Sequence, residues 1–334
     1  MPAKRVAITG ADGFIGSHVA EALVGAGYDV TALVQYNSFN SRGWLDHSDA
    51  KLTSQMKIVS GDVRDPQSMR GLVRGADIVM HLASLIAIPY SYHAPSSYVD
   101  TNVNGTLNLL QAARDGRVEH IIHTSTSEVY GTAQFVPITE EHPLNAQSPY
   151  AATKIAADQL ALSFHRSFDM PVSVIRPFNT FGPRQSARAV IPTVISQLLA
   201  GKAEIKLGNL EPTRDFTYVE DMAAAFIAMI GVRETIGQVT NFGSGFEISI
   251  GDMARAIRDE INPAAEIKLD ESRLRPANSE VDRLWASVEK ARQRTDWSPS
   301  YSGLDGFRMG IEKTVRWFRD SKNLSFYKMD LFNI

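Results

Sequence analysis

The stretch RVAITGADGFIG, residues 5–16, constrains this chain more than any other. A short apolar run stops at Gly10, and two more glycines follow at 13 and 16. Apolar positions Ile15, Val19, Leu23 and Val24 then recur at helical spacing. The pattern predicts a strand that passes through a tight turn into a helix. A strand that hands over to a helix does not form a hairpin with the next strand; the chain crosses over and returns parallel.

The alternation repeats. YDVTALV (28–34), MKIVSGD (56–62), ADIVMHLA (76–83), HIIHTST (120–126) and VSVIRP (172–177) read as further strands. A long helix is expected at about 96–114, with Val99, Val103, Leu107, Leu110 and Ala113 on one face, and another after Pro149. Strands that are apolar on both faces and separated by helices predict an α/β protein with a doubly wound parallel (Rossmann) sheet. After Pro177 the pattern loosens into segments rich in Pro, Arg and polar residues. We therefore expect a nucleotide-binding domain over 1–177, with 217–250 returning to it. A smaller C-terminal substrate lobe is expected from 178–216 and 251–325. The tail SFYKMDLFNI is apolar and is expected to dock on the body or on a second subunit.

Composition removes several classes of function. The 334 residues are 44% hydrophobic and 21% charged, enough for a sizeable core. The net charge of −3 offers no basic field for nucleic acid or an anionic membrane. The absence of cysteine excludes disulfides, thiolate catalysis and zinc–cysteine sites, no metal is expected, and a cytoplasmic location is favoured. MPAKRVAITG has no signal-peptide core, and no apolar run approaches the ~20 residues that span a bilayer.

Gly10, Gly13 and Gly16 point to a dinucleotide. Residues without Cβ let the backbone approach a pyrophosphate, and the helix opened by Phe14 and Ile15 offers free N–H groups to it. An acid that would bind the adenosine ribose is missing from the end of the second strand, which reads VQYNSFNSRG. Asn37 could bond the ribose instead, and Arg42 could accept a 2′-phosphate. Both NAD and NADP stay open, with NAD preferred.

Tyr150 and Lys154 lie four residues apart behind Pro149, on one face of the expected helix. A nearby ammonium favours a phenolate, so Lys154 is expected to bring Tyr150 toward neutrality and make it a general base. Glu128, in TSTSEVYG (124–131), is a carboxylate where a strand leaves the middle of a sheet. Asn179, Arg184, Arg188, Arg214 and Arg275 are candidates for anion contacts, since guanidinium groups suit bidentate phosphate recognition. Nothing in the sequence reads out a nucleobase.

The motifs GADGFIG, GDVRD (61–65), HLAS (81–84), TSTSEVYG, SPYAATK (148–154), RPFNTFGPRQ (176–185) and RDFTYVED (214–221), in that order, cover nearly the whole chain. Together they resemble the extended short-chain dehydrogenase/reductases that modify nucleotide sugars, and within them the 4,6-dehydratases. The resemblance implies that Asp62 and Val63 flank the adenine and that Leu82 and Ala83 line the path to the nicotinamide. It assigns proton transfer to Tyr150, a second role at the nicotinamide ribose to Lys154, and the bond to the reacting hydroxyl to Thr126. Asn179, Arg214 and Arg275 fit its diphosphate contacts better than Arg184 or Arg188, and Ser127 is a further candidate substrate contact. The order STSE resembles GDP-mannose 4,6-dehydratases and UDP-glucuronate decarboxylases; dTDP-glucose 4,6-dehydratases carry Asp where Ser127 stands. Four segments, YNSFNSRGWLD (36–46), LIAIPYSYHAPSSYVDTN (85–102), GPRQSARAVIP (182–192) and LGNLEPTRD (207–215), resemble the subgroup acting on GDP-N-acetylglucosamine.

The implied reaction oxidises C4, eliminates water across C5–C6 and returns the hydride to C6, with Glu128 serving the elimination. UDP-glucuronate decarboxylation and 4-epimerisation are the alternatives, and a non-catalytic dinucleotide-binding protein is the alternative class. The expected partners are a nucleoside diphosphate-sugar and a second copy of the chain. The homodimer expectation rests on Leu109, Leu160 and Leu162, read as more than one core face needs, and on the pairing of these two helices in the family.

Overall fold

In the computed structural model, which describes residues 3–327, each of the six apolar runs forms a strand: β1 (Arg5–Thr9), β2 (Asp29–Gln35), β3 (Lys57–Gly61), β4 (Ile78–His81), β5 (His120–Thr124) and β6 (Val172–Pro177). Short strands follow at β7 (Asn179–Phe181), β8 (Glu204–Leu207) and β9 (Thr213–Tyr218). Then come β10 (Val239–Phe242), β11 (Glu247–Ser249), β12 (Glu266–Leu269) and β13 (Arg283–Leu284). The main sheet has seven strands in the order β10-β6-β5-β4-β1-β2-β3, and every neighbour pair is parallel. This is the doubly wound sheet that the pattern predicts. Strand order reverses between β1 and β4, so crossovers leave that point to opposite sides and open a crevice at the carboxyl ends. Val6, Ile8, Ile78, Met80 and Ile122 fill one side with the Phe14–Gly25 and Val219–Ala228 helices, and Ala7, Val79 and Ile121 pack the other.

A second cluster joins Phe181, Ile195, Phe216, Ile257, Phe307 and Phe318 around the small sheets β11-β9-β13, with β7 on β9, and β12-β8. Val281, Leu284, Ala286 and Trp297 pack instead in the core of the main sheet.

Two helical expectations change. The helix expected at 96–114 is helical at Pro95–Tyr98 and again at Gly105–Gly116, with a π-helical turn between, Val99–Asn104. The wider turn rotates the face: Val99 is 45% exposed, and Asn102 points inward. Asn102 Oδ1 accepts from Ser84 Oγ and Leu85 N, while its Nδ2 donates to Leu85 O and Thr153 Oγ1. A polar residue that braces two neighbouring segments is a sufficient physical cause for a π turn inside an apolar stripe. Second, Leu109 and Leu162 are buried in the protomer's own core, and Leu160 packs partly against it. They fill the space under β4–β6, so they are not a surplus left for a partner.

The start of the tail docks on the body. Phe326 and Tyr327 pack on Trp44, and the Tyr327 hydroxyl donates to Gln185 O at 2.7 Å. Residues 328–334 of the expected docking tail lie outside the described residues. Among the described residues no helix is long and apolar enough to cross a membrane.

Candidate active site

The glycine turn brings the ends of β1 and β4 together at the reversal point. Gly10 has φ +70°, and a Cβ there would lie 2.7 Å from Ala83 N. Leu82 N and Ala83 N both donate to Thr9 Oγ1 at 3.1 Å. A Cβ on Gly16 would overlap the Gly10 carbonyl oxygen. Gly13 caps the Phe14–Gly25 helix with no side-chain bond and no acid in the first turn, so that end presents N–H groups and the positive end of the helix dipole. A cradle that side chains would fill, backed by such a terminus, fits the pyrophosphate of a dinucleotide. Val63 packs against Gly105, and Asp62 pairs with Arg64 at 2.6 Å.

Beside β2, the two residues expected at the ribose and its 2′-phosphate both make bonds within their own loop. Asn37 Nδ2 donates to Gln35 O and Ser41 O, and its Oδ1 accepts from Phe39 N and Ser41 N. A side-chain amide has two donors and two acceptor positions, so Asn37 holds its own loop and has none left for a ribose. Arg42 is joined to Asp46 through Nε and through its backbone N, both at 2.7 Å.

On the other wall of the crevice, Ser148 Oγ accepts from Ala151 N and Pro149 stands at N1 of the Pro149–Phe168 helix. Tyr150, Lys154 and Asp158 then share one buried face. Lys154 Nζ donates to Thr124 O at 2.6 Å, and Thr126 hydrogen-bonds the Tyr150 phenol. Glu128 sits in a 3-10 turn, Ser127–Tyr130, capped by Thr126 Oγ1. Its side chain is 9% exposed, and its charge acts on both Tyr150 and Arg214. The structure thus gathers Thr126, Glu128, Tyr150 and Lys154 at one point, with the buried Ser127 beside them.

The expected depression of Tyr150 is not present. Burial pushes the phenol up, the Thr126 hydrogen bond opposes this, and Glu128 adds to the rise. Lys154 is held down to about 8, chiefly by burial, with Asp158 opposing. The ammonium is aimed at the Thr124 carbonyl, and desolvation is the largest influence on both groups.

Beneath this site lies a charge cluster that the sequence reading did not single out. Asp158 Oδ2 accepts from Ser125 Oγ (2.6 Å), Arg176 Nη2 (2.9 Å) and Arg176 Nε (3.2 Å), and Oδ1 lies 3.4 Å from His123 Nε2. Arg176 Nη1 donates to the Tyr130 hydroxyl at 2.9 Å. The signal was available: Asp158 follows Lys154 by four residues, as Lys154 follows Tyr150.

On the substrate side Arg214 is buried, and Glu280 Oε1 lies 3.4 Å from its Nη2 and 3.6 Å from Arg275 Nη1. Arg275 Nη1 and Asn179 Oδ1 are buried without a hydrogen-bond partner; the first is a donor that an anion would satisfy, the second an acceptor that needs a donor. Glu280 carried no sequence signal. An open groove of about 640 Å³ runs past it, lined by Asn145, Gln147, Ser148, Asn278 and Asp282. Arg184 is not part of this set: it pairs with Glu21 at 2.9 Å and bonds Ser17. Arg188 is exposed, close enough to Tyr98 to act on it electrostatically.

Residues 7–310 match the family model described as GDP-mannose 4,6 dehydratase. The chain is 32% identical over 331 residues to the UDP-N-acetyl-alpha-D-glucosaminuronate decarboxylase of Bacillus cytotoxicus, covering 96% of this chain and 99% of that protein. It is 32% identical over 322 residues to the UDP-glucose 4-epimerase of Mycolicibacterium smegmatis, covering 95% and 99%. The crystal structure of the dTDP-glucose 4,6-dehydratase of Streptomyces venezuelae with NAD bound superposes with a TM-score of 0.84 at 28% identity, covering 97% of this chain and 99% of that one. Dehydratase, epimerase and decarboxylase thus stand among the relatives on one scaffold. With its glycine cradle, Tyr150–Lys154 pair and parallel sheet, the chain belongs to the GDP-mannose 4,6 dehydratase family of nucleotide-sugar-modifying enzymes, within the extended short-chain dehydrogenase/reductases.

Proposed function

We propose that this protein is an NAD-dependent nucleotide-sugar 4,6-dehydratase that releases a 4-keto-6-deoxy sugar nucleotide. The observation that carries the reading is Glu128, a buried carboxylate whose charge acts on both Tyr150 and Arg214. A 4-epimerase needs no second acid or base, whereas elimination of water across C5–C6 does.

The glycine cradle would hold the pyrophosphate of NAD, and Leu82 and Ala83 the nicotinamide end. When bound, NAD supplies the oxidation at C4 and the return of the same reducing equivalents at C6, and its positive charge favours the Tyr150 phenolate. The chain's own residues move the protons. Tyr150 takes the proton of the C4 hydroxyl, which Thr126 hydrogen-bonds. Glu128 takes the proton at C5, acidified by the neighbouring ketone, and passes it to the departing C6 hydroxyl; when the reducing equivalents return at C6, C5 takes up a proton in place of the one that Tyr150 removed from the C4 hydroxyl, and loss of that proton restores the phenolate. With Ser127 where dTDP-glucose dehydratases carry Asp, one carboxyl does both. Arg214, Arg275 and Asn179 receive the diphosphate.

The four segments that resemble the GDP-N-acetylglucosamine subgroup favour that sugar nucleotide. The protein is further proposed to pair as a homodimer through the 95–116 and 149–168 helices, where Val99 and Phe168 are exposed; light scattering that finds only monomer at micromolar concentration speaks against it.

The test is a panel of nucleotide sugars followed by mass spectrometry, in which loss of water, loss of carbon dioxide and no mass change separate the three chemistries. In Glu128→Gln, the nucleotide sugar should still bind, while water loss and deuterium wash-in at C5 fall by about 10²–10⁴-fold, the usual worth of a general acid–base group. Dehydration at close to the parent rate in that variant removes the ground for preferring a dehydratase.

A further inference from the structure

The end of β2 carries no acid, but carboxylates stand on two elements beside it. Asp12, inside the glycine turn, reaches across to the end of β2, where its Oδ2 accepts from Gln35 N at 3.0 Å. The Asp12 carbonyl in turn accepts from Trp44 N at 3.0 Å, which seats the Gly43–His47 turn directly on the cradle. Gly43 has φ +57°, and a Cβ there would overlap the Asp12 carbonyl oxygen, so the approach is as close as a backbone permits. From this turn Asp46 grips Arg42 through two hydrogen bonds of 2.7 Å. The turn is held from behind: Trp44 stacks with Tyr327 and meets Phe326 and Trp317 edge-on.

We propose that Asp12 and Asp46 set this enzyme's preference for NAD over NADP. Asp12 puts a carboxylate at the place where the ribose hydroxyls of a dinucleotide arrive in this fold. Asp46 holds the one guanidinium of the loop, Arg42, in an ion pair and so withholds it from a 2′-phosphate. NADP must therefore either displace an ion pair or bring its phosphate to the Asp12 carboxylate without a cation, while NAD offers hydroxyls from which a carboxylate can accept. Asn37, whose amide is fully used within its loop, takes no part.

The inference rests on the dinucleotide-binding reading, and the experiment keeps the two apart. Nucleotides released from the purified protein are identified by chromatography, and NADP is then titrated against the NAD-loaded protein to obtain the ratio of the two dissociation constants. Parent protein with neither dinucleotide, and no binding of either, overturns the dinucleotide reading itself. If the parent binds NAD, Asp46→Asn should lower the NAD:NADP preference about tenfold. Asp12→Asn, which keeps an acceptor for Gln35 N, should lower it in the same direction, and Asp46→Asn with Arg42→Ala should lose the gain. Asp46→Asn and Asp46→Ala that both fold, bind NAD and leave the ratio within twofold of the parent overturn the role of Asp46. An unchanged ratio in a folded Asp12→Asn overturns that of Asp12.

Discussion

Asp158 is the residue whose loss should cost most per atom changed. Asp158→Asn keeps shape and one acceptor oxygen and removes only charge. Ser125 can still donate to the amide oxygen. Arg176 cannot be repaired in the same way: it is 2% exposed, and its remaining partners are the Tyr130 hydroxyl at 2.9 Å and the Tyr130 ring 4.9 Å below it. Removing one partner of a buried pair leaves an uncompensated charge and costs about 3–5 kcal/mol, a large share of a typical stability of about 5–15 kcal/mol. The assay is urea denaturation at pH 7 of the parent, Asp158→Asn, Arg176→Met and the double variant. The double variant, with no orphaned charge, should recover at least half of the loss. A second readout separates catalysis from folding. Asp158 is the charge that opposes the depression of Lys154, so in folded Asp158→Asn the alkaline limb of kcat should move below the parent's. A loss under about 1 kcal/mol would show that Arg176 finds water or another partner, and the argument from an isolated buried cation would fail.

Lys154 is depressed to about 8, so its ammonium is lost as pH rises through that value, and kcat should fall above pH 8; a flat profile from pH 7 to 10 contradicts a role for the charged form. In Gly16→Ala the new methyl meets the Gly10 carbonyl, and dinucleotide affinity measured by calorimetry should drop at least about 100-fold, roughly 2.7 kcal/mol, with the sheet still folded. Asp215 accepts from Ser244 N, Ser244 Oγ, Gly245 N and Ala286 N, so Asp215→Asn turns an NH₂ toward donors and should cost about 1–3 kcal/mol in thermal or urea unfolding. Burial raises the Asp215 carboxyl to about 6. The folded state then holds its proton more tightly than the unfolded one, so this group's contribution is complete below about pH 4 and is lost as pH rises through 6. That slope should vanish in Asp215→Asn.

The main sheet was legible because its strands are buried on both faces. Runs such as VAI at 6–8 and IVMH at 78–81 can be little else between helices of regular period. The short strands β7, β8 and β11–β13 were not, since runs of two to four residues give no period to read. The π turn at Val99–Asn104 was hidden for a different reason: apolar spacing assumes 3.6 residues per turn, and Asn102 breaks that count for the sake of four hydrogen bonds. At the candidate site, spacing along one element was informative: Tyr150, Lys154 and Asp158 all fall on one helix face. Contacts between distant segments were not. Glu280 reaching Arg214 and Asp12 reaching Gln35 are products of the fold, and no local pattern announces them.

Glu128 and Tyr150 pose an electrostatic problem that bears on the choice among the family's chemistries. The proposed reaction starts from a phenolate at Tyr150 and a carboxylate at Glu128 in one dry pocket, and each anion opposes the other; Glu128 already raises the phenol. Two like charges in a low dielectric are tolerated only if each has its own cation. The pocket supplies both. Lys154 stands one helical turn beyond Tyr150, and Arg214 faces Glu128 closely enough for that carboxylate to raise its pKa against the effect of burial. Glu280, set between Arg214 and Arg275, partly offsets their mutual repulsion. A 4-epimerase needs only the first anion and the first cation. Arg214 has a diphosphate to hold in either proposed chemistry, but Glu128 has no proton to move in epimerisation, whereas an elimination from C5–C6 requires a base there before the sugar can lose water.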